Sequence, residues 1–293
     1  MSQLILEQQL RDQAVEEIEI QIRENTLELP PAPNLLTRLS VYTTDGDSHI
    51  SDIAAVLDSE PTVRERLINI ANSPTLGART NVTSVQGALT RLGLSRVQAL
   101  ATSIVLNDYL QRPPSAILTS HYNQMRLRST KVAAISYVIA AKYSRVEAEK
   151  ALLAGLIHNI GNVPLLKALS LLDAVKEKPT RFNPLRDRII PPYYAEIGYQ
   201  LLLYWQLEAS LISATRTHQH LDHNQSSQID ADDVVIIAYH LSQRLDLTDV
   251  ENVPFALVNS AAFQKIWPDW QTASTDLENY SEEIQQIQND IGR

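Results

Sequence analysis

Three features of this sequence point to an all-α protein, a compact multi-helix bundle. Apolar residues recur at three- and four-residue spacing, proline and capping residues punctuate the chain at helix-length intervals, and strand-like alternation is scarce. Residues 1–28 read as one amphipathic helix, because Leu6, Leu10, Ile18 and Ile22 fall near helical spacing among Glu and Gln. The stretch ELPPAPNLL then breaks it. Pro30, Pro31 and Pro33 cannot lie inside a helix, and they set a rigid entry into the next unit. Ser51 is placed to cap a helix that must stop before Pro61, and Pro61 suits the first position of the following one. NVTSVQGALTRLGLSRVQALATSIVLNDYL reads as two helices broken near Gly93, with Ser95 as N-cap, and QRPPS makes a second firm break near residue 115.

Beyond that break, residues 119–143 form a long helix with Val132, Ile135, Val138 and Ile139 on its apolar face. Residues 146–158 form the next, with Gly161 placed as a C-terminal glycine cap. PTRFNPLRDRIIPPYY reads as a proline-punctuated loop or short helix. Helical segments follow near 194–223 and 230–245; DVVIIAYHL has strand propensity, but its Asp-rich start favours a helix. The expected division is 1–28, a helical unit at 29–115, a second at 116–250, and a looser acidic extension at 251–293.

Composition narrows the function. The chain has 293 residues, 44% of them hydrophobic, and no cysteine, so disulfides and thiolate metal sites are excluded. No apolar run approaches the roughly 18 residues of a membrane helix, and MSQLILEQQLRDQ lacks the pattern of a signal peptide. A cytoplasmic protein without membrane insertion is expected. The net charge of −9 arises in residues 226–293, which hold 12 Asp/Glu against 3 Lys/Arg. This reads as a self-repelling soluble surface, with a basic partner as the second reading. No Lys/Arg run offers the concentrated basic surface that nucleic acid requires.

Four stretches occur in order: LPPAPNLL, DSEPTVRERLINIANSPTLG, SVQGALTRLGLSRVQAL and LLAGLIHNIG. Together they resemble the HDOD family of bacterial signalling domains, helical relatives of the HD phosphohydrolases, from about Leu29 to about Leu245. The resemblance implies an all-helical domain with an HD-like C-terminal half that works through protein contacts. Within these motifs, Asn72 and Ser73 read as a helix C-cap and Gly93 as a tight turn between helices.

The resemblance also implies where an HD metal site would lie. HD-type enzymes bind metal through imidazoles and carboxylates, whose negative charge offsets the cation. At the first ligand position this sequence has Arg128, permanently cationic and without an acceptor. The second is retained as His158. The third, an aspartate in such enzymes, is Asn159, and the last matches His240. His218, His220 and His223, with Asp222 adjacent, offer a different imidazole cluster, though 218 and 220 lie on different faces of a helix. No catalytic metal centre is expected.

Other chemistry finds less support. No glycine-rich phosphate loop follows a strand, and Ser73 and Ser129 have no base nearby in sequence. Tyr193, Tyr194, Tyr199, Tyr204 and Trp205 read as core or groove lining. The expected function is therefore a non-enzymatic signalling module with protein partners, no cofactor and a vestigial HD site at Arg128, His158, Asn159, His218 and His240. A metal-dependent phosphohydrolase acting on nucleotides or cyclic dinucleotides is one rival. A nucleotide sensor using the vestigial pocket is another, with Arg128, His158 and His218 holding an anionic small ligand. Arg128 otherwise pairs with an internal acid such as Glu196. The segment 181–194, with Phe182, Arg186, Tyr193 and Tyr194, is the expected interface, unless its aromatics cap the core.

Overall fold

The computed structural model describes residues 2–44, 50–72, 81–223, 226–243 and 255–292, and among these all regular structure is helical. Helix α1 (Ser2–Arg23) buries Ala14, Val15 and Ile18 against the body, while Leu6 stays exposed. The proline-rich entry follows. Its Pro30 carbonyl accepts from Trp205 Nε1 at 2.9 Å, which fixes the chain where proline leaves carbonyls without helical partners.

Helices α2 (Asn34–Thr44), α3 (Ile50–Asp58), α4 (Pro61–Ala71), α5 (Val85–Leu92) and α6 (Leu94–Leu110) share a first core around Leu39, Ile53, Leu57, Leu67, Val85 and Ile104. Pro61 opens α4, where its missing N–H costs no helical bond. Ser51 lies within α3 rather than ahead of it. Asn72 does cap α4, and its carboxamide does more: Nδ2 donates to Val82 O at 2.7 Å and Oδ1 accepts from Val82 N at 2.8 Å. Ser73 lies outside the described residues. Gly93, at φ +85°, both ends α5 and precedes α6, a backbone state that glycine adopts without steric cost. That leaves Ser95 inside the first turn of α6, where its hydroxyl donates to Glu147 at 2.7 Å instead of capping.

Helices α7 (Thr119–Tyr143) and α8 (Ala148–Ile157) form the central pair. They approach closely because Gly155 has no side chain; a Cβ there would lie 2.9 Å from the Ala133 Cα. Then follow α9 (Asn162–Leu171), α10 (Asp173–Glu177) and α11 (Phe182–Tyr204). Gly161 is not the left-handed cap expected of it, for its φ is −64°. It is glycine because a Cβ would meet the Tyr194 carbonyl at 2.0 Å, where α11 crosses. The 181–194 segment is neither loop nor short helix. It is the start of α11, which runs through Pro191 and Pro192. Both prolines are exposed, so water can satisfy the carbonyls at 187 and 188 that lose their helical donors.

The helix expected over 194–223 breaks at Gln206, which has φ +60°, and continues as the short α12 (Ala209–Ile212) and α13 (Ala214–Thr217). Helix α14 (Ala231–Ser242) starts with a capping box between Asp230 and Asp233. Among the described residues, 255–292 are not a loose extension. They form α15 (Phe255–Val258), α16 (Ala261–Gln264), α17 (Trp270–Asn279) and α18 (Ser281–Gly292). Phe263, Trp267, Trp270 and Leu277 bury with α14 and α7 in one core. Arg66 donates to Ile291 O at 2.8 Å and Arg126 to Gly292 O at 2.9 Å, so residues from both halves hold the end of α18. Residues 148–171 are, against expectation, long and apolar enough for a membrane span by composition. The fold uses them as core: 83% of the window is buried, and the chain turns between α8 and α9.

Candidate functional site

A cleft of about 400 Å³ opens over the α8–α9 turn. Helix α7 sends His121, Gln124, Met125 and Arg128 into it, and α11 sends Arg186, Asp187, Ile190 and Tyr194. The turn itself contributes His158 and Asn159, and Gln219 and Tyr239 close the far side. Arg128, His158 and Asn159 thus come together in one cleft, as the family resemblance implied.

His158 caps α8 and is buried, at 1% exposure. Its Nδ1 lies 2.7 Å from Gly155 O. A carbonyl only accepts, so the proton sits on Nδ1 and Nε2 carries the lone pair. That Nε2 has no hydrogen-bond partner. Burial, then the neighbouring His218, pushes the His158 pKa down to about 3, so the ring is neutral at physiological pH. His218 is fully buried as well, with its ring centroid 5.0 Å from that of His158. Its Nδ1 faces Ala214 O at 3.0 Å and its Nε2 accepts from the Tyr194 hydroxyl at 2.7 Å. Burial lowers its pKa to about 4. Tyr194 also accepts from Gln219, and its own ionisation is driven upward by burial. Asn159 Oδ1 accepts from the buried Ser129 hydroxyl at 2.8 Å.

These donors do not fit a divalent cation. One imidazole lone pair is free, the other is occupied by Tyr194, and the Asn159 oxygen is uncharged and already accepts from Ser129. The lining carboxylate, Asp187, is held by Arg186 at 2.6 Å, and Arg128 adds a positive charge. Among the described residues no three His, Asp or Glu side chains gather in a metal-binding group.

Several expected placements change. Helix α14 sends Tyr239 into the cleft, not His240; Tyr239 packs its ring 4.7 Å from His218 and 5.6 Å from His158. The apolar residues of α14 are buried on every side, so periodicity could not choose between these neighbours. His220 is exposed, and His223 contacts Asp232 at 3.1 Å, so neither joins His218. Glu196 is not the partner of Arg128, for Arg216 takes it at 2.5 Å while stacking on Tyr199. Of the expected interface residues, Phe182 is 2% exposed and belongs to the core, and Tyr194 is buried in the cleft network. Tyr193 donates to Glu19 of α1 at 2.9 Å, which leaves Arg186 at the cleft rim. Gln219, Tyr239 and Ser129 were missed as site residues, because only the folded chain brings them beside His158.

The comparisons agree with this architecture. An uncharacterized protein of Treponema pallidum (strain Nichols) is 24% identical over 265 residues, 85% of this chain; the chain spans about half, 48%, of that relative's length. A crystal structure from Shewanella amazonensis SB2B, named as a candidate metal-dependent phosphohydrolase, superposes with TM-score 0.69 at 19% identity, covering 97% of this chain and 99% of that one. An HDOD domain protein of unknown function from Geobacter sulfurreducens gives TM-score 0.66 at 20% identity, covering 96% and 98%. At these identities the two structures speak for the fold alone. The HDOD domain model matches residues 29–221, which carry α2 to α13 and all of the cleft but Tyr239, and the chain belongs to the HDOD domain family.

Proposed function

We propose that this chain is a non-enzymatic signalling module that acts through contacts with protein partners, on a degenerate HD site. One observation carries the reading: a permanent cation, Arg128, lines the cleft where an HD enzyme would hold metal beside His158. A guanidinium opposes a divalent cation and accepts no lone-pair role. The neutral Asn159 and the Tyr194–His218 bond leave little to generate or hold a metal-bound nucleophile.

The test is turnover and metal content together. Untagged protein assayed against phosphodiester and phosphomonoester substrates with manganese, magnesium, iron or zinc is expected to show only background rates and no retained metal. Robust hydrolysis abolished by His158→Ala would establish the rival, a metal-dependent phosphohydrolase. A partner pulled down with the native chain should be released by Arg186→Ala if the cleft rim forms the contact. Phe182→Ala is unsuitable for that purpose, since it opens the core.

A further inference from the structure

We propose that the cleft over His158 binds a small organic phosphate bearing a hydroxyl, with Arg128 holding the phosphoryl oxygens and His158 Nε2 accepting from the hydroxyl. The inference deepens the non-catalytic reading above and rests on it, since a hydrolysed ester would not remain bound. Three observations converge on this ligand class.

The first is the cation. Arg128 makes no hydrogen bond or ion pair with the protein among the described residues, whereas Arg66, Arg181, Arg186 and Arg216 all have carboxylate partners. The acid at the rim, Asp187, is already matched by Arg186, so the cleft carries one uncompensated positive charge. A planar guanidinium fork meets an oxyanion through two parallel N–H bonds.

The second is the orphan acceptor. His158 is 1% exposed, lines the cleft, and has a lone pair on Nε2 with no partner. A buried acceptor left unmatched is costly, so its natural complement is a donor. A deprotonated oxygen cannot serve, because both groups would present lone pairs, whereas a hydroxyl donates. The ligand must therefore bring a hydroxyl as well as negative oxygen.

The third is shape. Asn159 gives its oxygen to Ser129, which leaves its Nδ2 to donate beside Arg128. A tetrahedral phosphoryl group offers oxygens in several directions for these two donors, more than a planar carboxylate does. The volume, about 400 Å³, exceeds that of a bare phosphate, and Leu166, Ile190 and the ring of Tyr239 provide apolar wall for a carbon skeleton.

Isothermal titration of the untagged full chain tests this with ribose 5-phosphate, glycerol 3-phosphate and adenosine 5′-monophosphate as probes. Methyl phosphate, inorganic phosphate and ribose are the comparators. At least one of the three probes is expected to bind about ten-fold or more tightly than every comparator. Arg128→Gln, at an exposed position where folding should be unaffected, should weaken that binding at least about ten-fold. His158→Leu should bring the hydroxylated probe level with methyl phosphate. No binding of any probe at millimolar concentration would overturn the proposal, as would binding that Arg128→Gln leaves unchanged. Equal affinity for methyl phosphate would remove the hydroxyl contact and sink the proposal as stated. Phosphorus NMR of the titrated samples keeps the two readings separate: a cleaved ester defeats the non-enzymatic function, whereas an intact but unbound ester defeats only this inference.

Discussion

The Ser129 hydroxyl donates to the Asn159 carboxamide oxygen at 2.8 Å, linking α7 to the α8–α9 turn in the buried floor of the cleft. Ser129 is fully buried and Asn159 is 5% exposed, so neither group has ready access to water in exchange. Ser129→Ala should cost about 1–3 kcal/mol, since it strands a buried acceptor. Urea unfolding at neutral pH measures it. A loss under about 0.5 kcal/mol would mean that the Asn159 oxygen is satisfied from the cleft side.

Stability should fall on acidification through the histidine range. Burial chiefly holds the pKa values of His158 and His218 at about 3 and about 4 in the folded chain, both below the ordinary imidazole value of 6.5. Above pH 6.5 both states hold these rings neutral, and they do not bias folding. As pH falls below 6.5 the unfolded chain takes up protons that the folded chain refuses, so stability drops until the folded values are reached. Two such groups give a slope near 2.7 kcal/mol per pH unit, or of order 4 kcal/mol lost by pH 5. His158→Gln should remove about half of that slope. Wild type and variant with the same slope between pH 6.5 and 5 would contradict the burial of a neutral imidazole.

The all-α class was legible in sequence because helix stops here are chemical: Pro61 and Gly93 act where their backbone constraints place them. Arg128, His158 and Asn159 were legible as a group through the family resemblance, and the cleft unites them. What failed depended on tertiary contact. Gly161 looks like a cap in sequence, and only the crossing of α11 reveals a packing role. Pro191 and Pro192 look like breakers, yet they sit on an exposed helix face where freed carbonyls meet water. Tyr239 and His240 are adjacent, and a helix buried all round gives no apolar stripe to tell which one faces the cleft.

Gly161→Ala should be among the most damaging single-methyl changes in the chain. The added Cβ would lie 2.0 Å from the Tyr194 carbonyl and 2.4 Å from the Gly198 amide, both backbone atoms that no rotamer change can move. Relief requires α11 to shift away from the α8–α9 turn, which also displaces Tyr194 from His218. A loss of about 3 kcal/mol or more is expected. Gly93→Ala is the contrasting case. Nothing lies within 4 Å of its Cβ, so only the backbone at φ +85° and ψ 160° opposes it, at about 1–3 kcal/mol. Thermal unfolding of the two variants should rank them in that order, and the reverse order would refute the close crossing.

Lys265 and Asp233 form the ion pair that anchors the C-terminal helices to α14, at 2.7 Å with side chains 8% and 0% exposed. Asp233 also accepts from the Asp230 backbone N–H in the capping box, so its carboxylate joins the start of α14 to the end of α16. Lys265→Met removes the cation and leaves the carboxylate buried, where burial already pushes its pKa upward. The expected loss is about 3–5 kcal/mol, the usual penalty for breaking a buried pair from one side. Asp233→Asn with Lys265→Met should recover much of it, because an amide keeps an acceptor for the Asp230 N–H without a charge to solvate. The double-mutant cycle from urea unfolding decides. A single-variant loss within about 0.5 kcal/mol of zero would mean that water reaches Asp233, and that the segment after 250 is less firmly docked than Phe263 and Trp267 make it.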